Sequence, residues 1–378
     1  MTSAAPGRLS SALEGCRIVI AVDRRASELA AALQRHGATV FQAAALTIES
    51  HIDDDALLER TAELIDHPPD IVVATTGVGF RGWIEAADEA GLLEGLEAAF
   101  ARAQIVARGP KARGAIQQAG FTADWVAESE TAAELGAYLV AEGVAGKRIA
   151  VQHHGSGADG LDELFARNGA EVVSLTVYRW GPPPDPEPVR RSVLQAAAGE
   201  VDAVLFTSAP GAGEWLAEAR RADVLPALRE RAERGRLVMA AVGPVTVTPL
   251  QEAGIPALVA DRGRLGSLVR TVVTHFGGGH APGLATACGR LELRSGGALL
   301  GGRFIALSPA GVALLGALFD ARGAVVSRAA LQAALPRAGQ NAHAVEMAIA
   351  RLREALSAPE LIKTVVKRGY RLNVEEAE

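Results

Sequence analysis

Two stretches of this chain share one strand–helix–strand pattern, and that recurrence limits the fold more than any other feature. Gly146–Trp180 reads GKRIAVQHHGSGADGLDELFARNGAEVVSLTVYRW. Arg148–Gln152 is a short apolar run and His153–Ala158 a glycine-rich break. Leu161, Leu164 and Phe165 fall at helical spacing before Asn168-Gly169 stops the helix. Val172–Tyr178 reads as a β-branched second strand, and Gly181-Pro182-Pro183-Pro184 ends regular structure after it. Cys16–Ala45 repeats the pattern and ends its helix at His36-Gly37. Arg17-Ile18 aligns with Arg148-Ile149 and Gly37-Ala38 with Gly169-Ala170, at offsets of 131 and 132. Ala74-Thr75-Thr76 with Gly79 and Trp83 aligns with Phe206-Thr207-Ser208, Gly211 and Trp215, at an offset of 132. Gly109-Pro110 aligns with Gly243-Pro244 at 134. Blocks in one order at nearly constant offset mark an internal duplication.

Within each copy, apolar runs such as Ile71–Ala74, Gln104–Ala107, Ala203–Phe206 and Leu237–Ala240 alternate with helical stretches. Alternation of that kind gives parallel sheets with helices on both faces. Such sheets bind ligands at the carboxyl ends of their strands, where helix N-termini present free N–H groups. Thr75-Thr76-Gly77, Thr207-Ser208, Gly109-Pro110 and Gly243-Pro244 each follow a strand and open a helix. Singly, each reads as an ordinary N-cap or a proline at the first helical position. Four equivalent helix starts together suit a carboxylate- or phosphate-bearing ligand.

Composition fits a soluble globular chain, with 49% hydrophobic and 22% charged residues among 378. No run reaches the roughly 20 apolar residues of a membrane helix, so a cytoplasmic protein is expected. The opening MTSAAPGRLSSALEG lacks an apolar signal core and is expected to be a disordered leader. Only Cys16 and Cys288 are present, which excludes a disulfide framework or a zinc site. The charge is divided: residues 285–378 carry 12 Lys/Arg against 8 Asp/Glu, a balance of +4, on a chain of net charge −6. A basic module on an acidic body points to nucleic acid for that module alone.

The order of Ala74-Thr75-Thr76, Leu175-Thr176-Val177-Tyr178-Arg179, Phe206-Thr207-Ser208-Ala209 and Ala241-Val242-Gly243-Pro244-Val245-Thr246 resembles the uroporphyrinogen-III synthase family over about residues 15–275. The resemblance implies two flavodoxin-like α/β domains of parallel sheets joined by a pair of crossing strands. One domain would be 15–46 plus 181–275, with 49–178 inserted as the other. It implies a cofactor-free, metal-free reaction in which hydroxymethylbilane loses its hydroxyl and closes to uroporphyrinogen III with the last ring inverted. Tyr178 would be the catalytic proton donor at the cleft; read from the residues alone, it is equally a strand-end aromatic packed between domains. Thr75, Thr76, Thr207, Ser208, Gly243 and Thr246 would hold substrate carboxylates. Lys111 and Arg113 depart from the family pattern, as does Val245; Lys111 could bind a carboxylate. His153-His154 is unusual at this strand end. It reads as a polar loop, or as a second site that ligates or senses a tetrapyrrole or its metal.

Residues 276–289 read as a Gly/Ala-rich linker. Beyond them come short strands, Ser308-Pro309 capping an apolar helix to Phe319, further helices over Arg328–Leu335 and Ala342–Leu356, and a hairpin within Ile362–Val374. Leu307-Ser308, Val325-Val326-Ser327-Arg328, Ile349-Ala350-Arg351-Leu352-Arg353 and Thr364-Val365 with Arg368-Gly369-Tyr370 resemble the OmpR/PhoB-type winged helix over Leu291–Leu372. That resemblance implies a module at 290–374 that binds double-stranded DNA, its third helix in the major groove and its wing at the minor groove. His343, Glu346, Met347 and Ala350 would face bases, with Arg351, Arg353, Lys367 and Arg368 on DNA. Arg353 also reads as a surface partner of Glu354 or Glu360. No aspartate-bearing receiver domain precedes the module, so the body occupies the place of an input domain. Two readings stay open: a synthase with an appended DNA-binding domain, and a non-catalytic transcription regulator whose synthase-like body senses a tetrapyrrole. The residues carry no membrane signal and leave oligomeric state open.

Overall fold

The computed structural model describes residues 8–23, 25–50, 55–153, 155, 159–335 and 343–375. The chain divides into two compact units, 1–46 with 183–378 and 47–182. The first unit holds a five-stranded sheet in the order Ala257–Val259, Val238–Ala241, Ala203–Phe206, Arg17–Ile20, Thr39–Gln42. Every pairing in it is parallel. The second unit repeats the design, in the order Trp125–Val126, Gln104–Ala107, Ile71–Ala74, Arg148–Gln152, Glu171–Leu175, again all parallel. The head of each repeat therefore pairs with the tail of the other: Ile18 lies opposite Ala203, and Ile149 opposite Ile71.

Parallel strands form here because their residues are apolar on both faces. Ile18 and Ile20 pack with Leu29, Leu33 and Leu205 on one side of the first sheet, beneath the helix Leu265–Gly277. Val19 turns to the other side, into a core with Phe206, Trp215, Met239 and Leu250. The period-2 alternation of a strand places consecutive side chains in different layers, so both faces need cover.

The duplication extends to polar contacts. Trp83 Nε1 donates to Thr61 Oγ1 at 3.0 Å, and Trp215 Nε1 donates to Ser192 Oγ at 2.9 Å. Those hydroxyls in turn donate to the carbonyls of Leu57 and Val189. Asp70 Oδ2 accepts from the Arg148 backbone N–H at 2.8 Å, and Asp202 Oδ2 accepts from that of Arg17 at 2.7 Å. Each aspartate thus ties the first residue of one strand to the residue that precedes its neighbour. A buried donor left alone costs about 1–3 kcal/mol, which gives such ties their weight.

One expected strand is in fact two. The β-branched run from Val172 breaks after Leu175, and Tyr178–Gly181 starts anew as the antiparallel partner of Thr47–Ser50. Apolarity is continuous across Thr176-Val177, so the pattern carries no mark of the change of partner.

The carboxyl-terminal module has the sheet order Gly283–Leu284, Leu291–Arg294, Gly297–Leu300, Arg303–Ala306, all antiparallel. Three helices follow: Pro309–Asp320, Arg328–Ala334 and Ala344–Leu356. A hairpin of Ile362–Val365 and Gly369–Leu372 closes it. Ser308 caps the first helix by accepting from the Gly311 N–H at 3.2 Å, with Pro309 at its start. Parts of the expected linker are paired with the module. Phe276 is buried in a helix, Gly283–Leu284 pairs with Leu291–Glu292, and Thr286 bridges to Val374. Glycine and alanine content alone does not separate a linker from an edge strand.

Candidate functional site

The sequence-expected residues of the second unit gather at the carboxyl edge of its sheet. Thr75 follows the strand Ile71–Ala74, is buried, and donates its hydroxyl to the Gln152 carbonyl at 2.7 Å. Thr76 caps the next helix, its Oγ1 accepting from the Gly79 N–H at 3.1 Å. Gln152, fully buried, joins them: its Oε1 accepts from the Thr76 N–H at 3.2 Å while its Nε2 donates to the His153 carbonyl. Thr75 is therefore spent inside the sheet, and Thr76 is an N-cap, as its position before a helix implies. Lys111 is exposed on the helix Pro110–Gln118, which starts at Gly109.

His153 is clasped by two carboxylates. Its Nδ1 lies 3.0 Å from Asp159 Oδ2 and its Nε2 2.9 Å from Asp162 Oδ1. The ring is 4% exposed and Asp159 2%. Burial alone disfavours the imidazolium, but the bonds and charges of Asp159 and Asp162 outweigh it and raise the pKa to about 9. Asp162 also accepts from the Ser174 hydroxyl. Both ring nitrogens are thus occupied, which argues against His153 as an open ligand; His154 lies outside the described residues. Among the described residues no group of His, Cys, Asp or Glu is arranged to hold a metal ion.

Tyr178 is buried and stands edge-on to Trp180, with ring centroids 6.0 Å apart. The backbone of Gly155 packs against it so closely that a Cβ there would stand 2.5 Å from Tyr178 Cε2. Arg108, directly after the strand Gln104–Ala107, shares this surround. Burial lowers its pKa, while Tyr178, Asp159 and Glu130 raise it. Sequence reasoning missed Gln152, Arg108, Asp159 and Asp162. A polar residue closing an apolar strand was the available signal for the first two.

In the first unit, Ser208 caps the helix Ala209–Arg221 by accepting from the Gly211 N–H at 3.2 Å, directly after Thr207. Gly243 precedes the helix Pro244–Glu252, with Thr246 buried and Val245 exposed in its first turn. These two helices pack together at the carboxyl edge of their own sheet. Each unit thus presents two adjacent helix N-termini, which favour anionic groups.

On the third helix of the carboxyl-terminal module, His343, Met347, Ala350 and Arg351 form an exposed face. Glu346 is drawn off that face by an ion pair with Arg328 at 2.8 Å. Arg353, expected on DNA, is half-buried and bonded to the hairpin. Its Nη2 donates to the Ile362 carbonyl at 2.7 Å and to Thr364 Oγ1 at 2.9 Å, and its guanidinium sits 5.7 Å from the Tyr370 ring centroid. It joins helix to hairpin and pairs with neither Glu354 nor Glu360. Lys367 and Arg368 are exposed at the hairpin turn, where Lys367 takes a left-handed φ of 62°.

Two α/β units built from exchanged halves of a duplicated sequence, with a winged helix at the carboxyl end, define the class of protein. The family model described as Uroporphyrinogen-III synthase HemD matches residues 27–270, and that described as Transcriptional regulatory protein, C terminal, matches 302–372. The chain belongs to the uroporphyrinogen-III synthase family, with its synthase domain fused to a transcription-regulator DNA-binding domain. Bacillus subtilis (strain 168) YjjA, an uncharacterized protein, is 28% identical over 71% of this chain and 98% of its own length. A putative uroporphyrinogen-III synthase of Methanothermobacter thermautotrophicus is 30% identical over 45% of this chain and 65% of its own. A mutant uroporphyrinogen III synthase from the extremely thermophilic bacterium Thermus thermophilus is 30% identical, covers 68% of this chain and 96% of that one, and superposes with a TM-score of 0.55. Among the described residues, no helix is long and apolar enough to cross a membrane.

Proposed function

We propose that the synthase body closes hydroxymethylbilane to uroporphyrinogen III and that the fused module holds it on double-stranded DNA. The observation that carries the enzymatic reading is the pairing of two helix N-termini at the sheet edge of each unit. Thr76 and Ser208 cap one helix of each pair, and Gly109 and Gly243 precede the others. Each such start attracts a carboxylate arm of the substrate, and exposed Lys111 adds a cation beside one of them. Tyr178 protonates the departing hydroxyl, which leaves as water. The positive azafulvene that remains is closed by attack of the inverted terminal ring, with loss of a proton.

Purified protein given freshly made hydroxymethylbilane is expected to yield the III isomer. Formation of the uncatalysed I isomer alone sinks the enzymatic reading. Tyr178→Phe, which keeps the ring on Gly155 and Trp180, is expected to lower kcat by about a hundredfold with KM little changed.

A regulatory reading stands beside it. The winged helix follows a tetrapyrrole-synthase body, and its third helix exposes His343, Met347, Ala350 and Arg351 while Arg353 is bonded to the hairpin. Footprinting on the chain's own upstream DNA, with and without tetrapyrrole, tests it; protection indifferent to tetrapyrrole counts against sensing. Lys367→Ala is expected to reduce the salt slope of DNA binding by about one. Arg353→Ala should leave that slope unchanged and lower the stability of the module by about 1–2 kcal/mol.

A further inference from the structure

The winged helix is seated on the first unit by polar contacts as well as by chain connectivity. Arg294 Nη1 donates to the Glu14 carbonyl at 2.6 Å and Nη2 to that of Phe276 at 3.3 Å. The Ser295 N–H donates to Asp202 Oδ1 at 2.8 Å, its hydroxyl donates to Asp202 Oδ2, and the Gly296 N–H donates to the Gly15 carbonyl at 3.0 Å. Beside these contacts lies a small pocket lined by Arg231, Arg236, Arg294, Asp202, Ser295 and Val312 among others. Asp202, Arg231 and Arg236 come from loops and a helix at the amino ends of the strands. The pocket is therefore on the edge of the sheet opposite Ser208 and Gly243.

The charges in this pocket do not close. Arg231 Nε and Arg236 Nη1 are buried, and neither has a hydrogen-bond acceptor among the described residues. The Arg231 guanidinium lies against Gly199, where a Cβ would stand 2.5 Å from Nη2. Arg236 stacks 5.2 Å from the Phe319 ring centroid, and the nearest carboxylate oxygen to its Nη1 is Asp320 Oδ1 at 3.9 Å. Asp202 is already taken by the Arg17 N–H and by both donors of Ser295. Arg294 is held by carbonyls. Burial lowers the pKa of Arg231 and the neighbouring Arg236 lowers it further, against the opposing pull of Asp320, Asp202 and Glu230. Two guanidiniums that repel each other, each with one buried N–H that has no acceptor, are costly in a folded chain, and buried polar groups in native proteins have partners. Water would accept the hydrogen bonds but leave the charge. A multivalent oxyanion supplies both, and guanidinium forks match its geometry.

We propose that this pocket binds inorganic phosphate between Arg231 and Arg236, and that the bound anion fastens the winged helix to the first unit. The test is isothermal titration of the full-length protein with inorganic phosphate at fixed ionic strength, with thermal unfolding measured in parallel. Wild-type protein is expected to bind one phosphate at this site and to unfold at a higher temperature in its presence. Arg231→Gln and Arg236→Gln are each expected to weaken binding by about tenfold or more. Arg25→Gln, which alters an exposed arginine outside the pocket, is expected to bind as wild type. Without phosphate, Arg231→Gln should unfold at the wild-type temperature or above, because the substitution removes a repulsion and no hydrogen bond; this also verifies that the variant folds. Phosphate binding undiminished in both arginine variants, or its absence from wild type, overturns the proposal.

Discussion

Raising the pH from about 6.5 through about 9 is expected to remove about 3 kcal/mol of stability from the native protein, a loss that His153→Gln abolishes. The sign follows from the direction of the shift. Asp159 and Asp162 hold the His153 imidazolium so firmly that its pKa stands above the unfolded value. The folded state therefore keeps its proton where the unfolded chain releases it. The stabilisation is fully present below about 6.5 and is lost as pH rises through about 9. Arg108 acts on the same cluster through Asp159, so the carboxylate keeps one cationic neighbour when the histidine discharges. Chemical denaturation of wild type and His153→Gln over this range is the measurement. The difference between the two curves cancels other groups that titrate there, and curves of equal slope would refute the clasp. The variant is also expected to be weaker at every pH, since it leaves Asp159 buried with less compensation.

This clasp also shows where the sequence stops informing the fold. The duplication was legible because it is written in strand and turn spacing, and the caps at Thr76 and Ser208 followed from hydroxyls placed just before helices. His153 stood out by type, but its partners are six and nine residues away on a loop and helix whose geometry no spacing rule supplies. Arg353 read as a groove residue because it is basic and on the third helix. Only the hairpin, folded back to bring Ile362 and Thr364 beside it, reveals a structural role. Tyr178 was found as a strand-end aromatic, yet it begins a new strand instead of ending the old one. Residues whose partners are near in sequence were readable. Those whose partners arrive through tertiary packing were not.

Asp202→Ala is expected to lower the stability of the protein by about 3 kcal/mol, whereas Asp70→Ala, its counterpart in the other repeat, is expected to cost about 1 kcal/mol or less. The two aspartates do the same local task, each accepting the backbone N–H that opens a neighbouring strand. Their surroundings differ. Asp70 is exposed, so water replaces its carboxylate when it is removed. Asp202 is 8% exposed and accepts from the Ser295 N–H and hydroxyl as well, contacts 93 residues away in the winged helix. Truncation there strands two backbone donors in a buried seam. Burial raises the Asp202 pKa against the opposing pull of those same hydrogen bonds, so the carboxylate is held at some cost, and losing its charge offsets part of the damage. Asp202→Asn should fall between wild type and Asp202→Ala, since one amide oxygen can serve only one of the two backbone donors. Denaturant unfolding of the three variants decides it. Equal losses at positions 70 and 202 would mean that the Ser295 contacts to Asp202 add no stability.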